Sequence, residues 1–307
     1  MIKLNVHIGN IEFKNPVTMA SGTFGYVKKY LKASDIKKLG AFAPKTITLK
    51  ERNGNPSPRI VETASGMINA IGIENEGLNY FLEHKLPSLE QLDIPLIVSI
   101  SASNLEEFII LAKALDARTA VSAIELNLSC PNLVNKKLIA QDAAATENLV
   151  RQIKNAARKP IIAKLSPNVT DISEIALAAQ NGGADAVSLV NTFMAMAVDI
   201  KSCKPILGNI TGGLSGPAIK PIALKMVYDV KRRVKIPIIA MGGIMTAEDA
   251  LEFLITGATM VAVGTANFIN PQAPWEILEG IKKYMKENKI SDIHQLIGSL
   301  KTSYDKS

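Results

Sequence analysis

Eight short apolar runs in this 307-residue chain end in residues that could hold an anion or move a proton. Ser21, Lys45 with Thr46, Ser99, Asn127, Lys164, and Asn191 with Thr192 close six consecutive runs. Gly242 with Gly243, and Gly264 with Thr265, close the last two. Polar residues that end buried strands face the mouth of the sheet, where a ligand can pair with them. Glycines in Met241-Gly-Gly-Ile244 and Val263-Gly-Thr-Ala266 let backbone N–H groups close on a phosphate. Asn127-Leu-Ser-Cys-Pro-Asn132 sets a thiol just past the fourth run, so Cys130 is the candidate for proton transfer, with Ser129 behind it. Lysines inside such a mouth are costly unless they meet an anion, so Lys45 and Lys164 point to a ligand with phosphate, carboxylate or developing negative charge. His7, His84 and His294 lie away from the run ends and read as surface or packing residues, and Cys203 reads as structural.

The runs that must position these residues fall at 17–21, 41–48, 95–101, 123–129, 160–165, 186–191, 237–241 and 260–264. Most are nearly continuous in apolar residues, as parallel strands buried on both faces require. Stretches of helical periodicity lie between them, with readable starts. Asn104-Leu-Glu-Glu107 and Thr246-Ala-Glu-Asp249 resemble capping boxes, Asp142 and Asp171 stand at N-cap positions, and Gly257 stops the helix that follows Thr246. Eight alternations without a change of composition predict α/β architecture, a (β/α)8 TIM barrel forming one domain over residues 1–307. The second and sixth runs are followed by long Gly-, Pro- and Asn-rich insertions, 52–77 and 194–221, both after strand C-terminal ends, where barrel active sites are built.

Composition narrows the function classes. Apolar residues make up 47% and charged residues 21%, which excludes a disordered chain. No apolar run is long enough to span a membrane, and the N-terminus has no signal-peptide pattern, so a cytoplasmic protein is expected. The net charge of +7 is spread over helix-like segments and reads as solvated faces, not as a nucleic-acid surface. Two cysteines cannot build a disulfide framework, a four-cysteine zinc site or an iron–sulfur cluster, so no metal is expected in this chain.

Five motifs together resemble the dihydroorotate dehydrogenases, and among them the catalytic subunit of the NAD-linked class 1B branch. They are Asn15-Pro-Val-Thr-Met-Ala-Ser-Gly-Thr-Phe-Gly25, Gly66-Met-Ile-Asn-Ala-Ile-Gly-Ile73, Asn127-Leu-Ser-Cys-Pro-Asn132, Ala163-Lys-Leu-Ser-Pro-Asn-Val-Thr-Asp171 and Gly212-Gly-Leu-Ser-Gly-Pro-Ala-Ile-Lys-Pro221. The resemblance is collinear from about Asn5 to about Pro271. It implies a flavoprotein oxidoreductase of pyrimidine (UMP) biosynthesis, a barrel with one FMN that oxidises dihydroorotate to orotate. Ala20, Ser21, Lys45, Thr46, Ser99, Asn127, Lys164, Val190, Gly216, Gly242, Gly243, Gly264 and Thr265 fall on the family's FMN positions. Lys45, Asn69, Ala70, Ile71, Gly72, Ile73, Asn127, Asn191 and Thr192 fall on its substrate positions, and Cys130 on its catalytic base. In that assignment Lys164 stabilises negative charge as the reduced flavin forms, and the glycines that close the seventh and eighth runs hold the FMN phosphate. The resemblance further implies a homodimer at the core of a heterotetramer. Its partner would be an FAD and 2Fe-2S electron-transfer subunit that passes electrons to NAD.

The chain departs from the family pattern at three places. Ser99 stands where Asn is usual, residues 134–141 replace a loop with Gly-Gly and Phe-Gly, and Ala195 replaces a usual Gly. These departures leave room for a flavin-binding barrel with little or no activity. Two further alternatives are a fumarate-using class 1A enzyme without a partner and a dihydrouridine synthase acting on tRNA. The second lacks an RNA-binding extension after Pro271.

Overall fold

The computed structural model describes residues 2–25, 33–129 and 139–302. Seven parallel strands form one sheet in the spatial order Val17–Met19, Met260–Val263, Ile238–Ala240, Ala186–Leu189, Ile161–Lys164, Val121–Asn127 and Leu96–Ile100. Apart from the two outermost, each strand has its chain neighbours beside it, as (β/α) repetition requires. Val, Ile, Leu and Ala at most positions bury the strands on both faces.

The eighth member of the ring is irregular. Residues 41–48 were expected as a strand, but they make only two isolated bridges, at Phe42 and Ile47. Pro44 lies between them and has no N–H to continue a ladder. The segment still joins both edges of the sheet. Ile97 N donates to Phe42 O at 3.0 Å and Ile47 N to Ser99 O at 2.9 Å on one side, and Gly40 N donates to Val17 O at 2.9 Å on the other. The ring is thereby closed, and its helices pack on the outside in sequence order from Leu105–Asp116 through Ala143–Ala156, Ile172–Asn181, Lys220–Lys231 and Ala247–Thr256 to Ala273–Glu287.

The helix starts follow the side-chain chemistry of their caps. Asp142 and Asp171 accept from Ala145 N and Ser173 N at 2.9 and 2.8 Å, and Thr246 with Asp249 forms a reciprocal capping box. Asn104 accepts from Glu107 N as expected, but the Glu107 carboxylate turns to Ser103 N instead of closing the box on Asn104. Gly257 ends its helix at φ 126°. Among the described residues, no helix is long and apolar enough to cross a membrane.

Two features lay outside the expected elements. A hairpin of Val6–Ile8 and Ile11–Phe13 precedes the barrel, its Gly9 turn against Pro160 at the N-terminal end of a barrel strand. The two insertions, read from the sequence only as Gly-, Pro- and Asn-rich segments, meet in one antiparallel four-stranded sheet. Its order is Phe193–Met196, Thr211–Ser215, Gly66–Asn69 and Ile60–Thr63. Gly213 is required there, because a Cβ would overlap the Thr192 side chain as Gly213 pairs with Asn69.

Candidate active site at the C-terminal ends of the barrel strands

Four of the eight run ends lie one or two residues beyond their strand ladders, whereas Ser99, Asn127 and Lys164 stay within theirs. Val17–Met19 stops short of Ser21, Ala186–Leu189 short of Asn191, and Met260–Val263 short of Gly264. Side chains released from the ladder are free to turn into the mouth, and the result is a cavity of about 480 Å³ between the strand ends and the inserted sheet. Ala20, Ser21, Lys45, Thr46, Asn127, Lys164, Val190, Gly216, Gly242, Gly243, Gly264 and Thr265 all line it, as do Asn69, Ile71, Gly72, Ile73, Asn191 and Thr192.

Two expected residues sit behind the wall. Ser99 is fully buried and accepts a hydrogen bond from Thr46 Oγ1 at 3.1 Å, while Thr46 lies 2.6 Å from Ser21 Oγ. Its short side chain ends on Thr46 instead of reaching the cavity. Ala70 packs with Ile68 and Leu207 in a small second core beneath the inserted sheet. Cys130 lies outside the described residues, as do 134–138 of the divergent loop. Cys203, expected to be structural, is exposed at a hairpin turn with φ 55°.

The cavity has two chemically distinct sides. On one, Gly216, Gly242 and Gly243 adopt φ of 99°, 129° and 75°, a region that disfavours a Cβ. Lys220, just after Gly216, pairs with Asp249 at 2.7 Å and Glu252 at 2.9 Å. The hydrogen bond it donates to Asp249, then that to Glu252, holds the Lys220 ammonium above its ordinary value. Burial pushes the Asp249 carboxyl up, but the hydrogen bonds from Lys220, Met245 N and Thr246 N outweigh it and hold the group below the usual range. Asp249 therefore fixes both the helix that follows Gly243 and the one that follows Gly216.

The other side is an amide-rich cluster. Asn191 Nδ2 donates to Ser129 Oγ at 2.9 Å and to Asn127 Oδ1 at 3.3 Å, and Asn69 donates to Gly213 O at 3.3 Å. Asn168 holds the start of the second insertion, donating to Thr192 O and accepting from Met194 N. Asn75 does the same for the first. Its buried amide accepts from Thr48 N and Gly77 N and donates to Thr48 Oγ1 and Ile73 O. The residues 71–73 are thus clamped beside the cavity, with Ile73 held at φ 55°.

Sequence reasoning did not single out Asn75, Asn168 or Glu125. Asn168 lies inside the motif Ala163–Asp171, and Glu125 is the one charged residue in the strand Val121–Asn127, a readable signal of a buried partner. That partner is Lys164, whose Nζ lies 3.5 Å from Glu125 Oε1. Lys45 makes no ion pair with any described residue.

The chain matches the family model described as Dihydroorotate dehydrogenase over residues 3–285. It is 49% identical over 299 residues to a Desulforamulus reducens protein named dihydroorotate dehydrogenase B (NAD(+)), catalytic subunit, covering 97% of this chain and 98% of that one. A Geotalea daltonii protein of the same name is 50% identical over the same shares. A Thermoanaerobacter protein, also so named, is 49% identical over 98% of this chain and 99% of its own. A single mouth that joins a glycine-lined side to an amide and lysine side, on a barrel with these motifs, agrees with both matches: the chain belongs to the dihydroorotate dehydrogenase family.

Proposed function

We propose that this chain is the catalytic subunit of an NAD-linked dihydroorotate dehydrogenase, oxidising dihydroorotate to orotate on a bound FMN. The observation that carries the reading is one cavity with a glycine-lined phosphate side and an amide-rich substrate side. The residues fit the cofactor. Gly264 supports this most directly, since a Cβ there would meet only Ala20 Cβ at 3.6 Å and Thr23 Cγ2 at 4.0 Å. Protein packing leaves room for a side chain, so the space is best explained by a ligand.

When bound, FMN supplies the hydride acceptor. Gly242, Gly243, Gly264 and Thr265, on the glycine-lined side, would hold its phosphate through backbone N–H groups. Lys164 would offset the negative charge of the reduced flavin. Asn69, Asn127, Asn191 and Lys45 bind the carboxylate and ring amides of dihydroorotate and orient the ring. Cys130, next to Ser129 of the cavity wall, removes the ring proton. A thiol starts near about 8.5, so this residue works better as pH rises or with local activation.

The chain holds only two cysteines and cannot carry its own iron–sulfur cluster. The relatives named as NAD-linked catalytic subunits support a separate FAD and 2Fe-2S subunit that takes the electrons to NAD, bound to a homodimer of this chain in the cytoplasm. Purified protein loaded with FMN is expected to be bleached by dihydroorotate without air and to reduce NAD only after the partner is added. Protein that takes up no FMN would falsify the reading, and rapid reoxidation by fumarate without a partner would replace it with the class 1A one.

A further inference from the structure

Directly under the cavity lies a buried charge pair that substrate and phosphate binding do not use. Glu125 is two residues before Asn127 on the same strand, so it shares that residue's face one layer deeper in the barrel. It is 5% exposed, Lys164 is 7% exposed and Ser188 is fully buried. Ser188 Oγ donates to Glu125 Oε2 at 2.8 Å. The other oxygen, Oε1, accepts no hydrogen bond and lies 3.5 Å from Lys164 Nζ. A closed ammonium–carboxylate hydrogen bond spans about 2.7–2.9 Å. The lysine is therefore near its counter-charge but not locked on it, and Lys164 also lines the cavity.

A carboxylate left half-satisfied in a barrel core is costly unless something uses it. Lys164 has two directions in which to spend its charge, down to Glu125 or up to an anion in the cavity. We propose that Glu125, anchored by Ser188, is a positioning residue that holds the Lys164 ammonium at the cavity floor and partly offsets its charge, setting how much more tightly the site binds reduced than oxidised FMN. This rests on the flavin reading given above. Reduced FMN carries negative charge on its pyrimidine ring and oxidised FMN does not, so a bare lysine favours the reduced form. A carboxylate beneath it restrains that preference, which suits a site that must pass its electrons on.

The test is the ratio of FMN dissociation constants, oxidised over reduced, obtained from the midpoint potential and from titration of apoprotein with FMN. Glu125→Gln removes the restraint, and the ratio is expected to rise about tenfold, equivalent to about 30 mV for a two-electron couple. Ser188→Ala removes the anchor and leaves Lys164 as the carboxylate's sole donor. The ammonium is then drawn from the cavity, and the ratio is expected to fall about threefold. This smaller change carries the test should the Gln variant not fold. In a Lys164→Met background both effects are expected to vanish, as a role exercised through the lysine demands.

Unchanged ratios, or shifts of one sign in both variants, overturn the proposal. So does a Glu125→Gln effect that persists without Lys164, since the carboxylate would then act on the flavin directly. Wild-type protein that binds FMN while the variants show no shift removes the positioning role alone. Wild-type protein that binds no FMN removes the flavin reading and this inference with it.

Discussion

Asn191 Nδ2 reaches Ser129 Oγ at 2.9 Å and Asn127 Oδ1 at 3.3 Å, so one amide ties together two barrel strands that are not neighbours. The strand bearing Lys164 runs between them. Asn191→Ala removes this tie and one substrate-facing donor. A loss of about 10–100-fold in kcat/KM for dihydroorotate is expected, since hydrogen bonds of this kind are worth about 1–3 kcal/mol and about 1.4 kcal/mol is tenfold. Steady-state kinetics with unchanged flavin content check it.

Gly264 and Gly243 should answer differently to the same added methyl group. Gly264→Ala meets no close protein atom, so its thermal midpoint is expected to stay near wild type while FMN affinity drops at least about tenfold. Gly243→Ala forces a Cβ at φ 75° to within 2.8 Å of Lys220 N. Strain and overpacking of that kind cost about 1–3 kcal/mol, so a lower urea midpoint accompanies its loss of FMN.

A Cβ on Gly213 overlaps the Thr192 side chain, so Gly213→Ala is expected to separate the inserted sheet from the barrel mouth. The barrel core is untouched. The measurement is limited proteolysis within 52–77 and 194–221, expected to be faster, together with a raised KM for dihydroorotate.

Cys130→Ser should retain FMN, because no expected FMN contact is lost, yet bleach slowly with dihydroorotate at neutral pH. A serine hydroxyl ionises far less readily than a thiol, so a drop of at least about 100-fold that eases as pH rises is expected. Anaerobic stopped-flow absorbance across pH reads it.

The Asp292 carboxyl is held down to about 2 from its ordinary 3.8, chiefly by the His294 backbone N–H and then by the His294 side chain. A depressed carboxyl stabilises the fold above its unfolded value and loses that contribution as pH falls from 3.8 to about 2. Urea midpoints measured between these values should fall less for Asp292→Asn than for wild type.

The sequence by itself determined the parts that depend on local chemistry. Apolar runs made the strands, Asp142, Asp171 and Thr246 capped their helices, and polar or glycine run ends marked the mouth, because each rests on a residue and its near neighbours. The motifs carried the family for the same reason: they are contiguous. What needed contacts between distant residues was decided only by the fold. The two insertions were legible as insertions, but their pairing into one sheet depends on Asn69 meeting Gly213 across 144 positions. Ser99 reads as a cavity residue in the sequence, but in the fold it ends on Thr46, and Glu125 meets Lys164 and Ser188 from two other strands. Sequence spacing sets which face a side chain takes, while burial and the cost of an unpaired charge, both properties of the packed barrel, decide what it then touches.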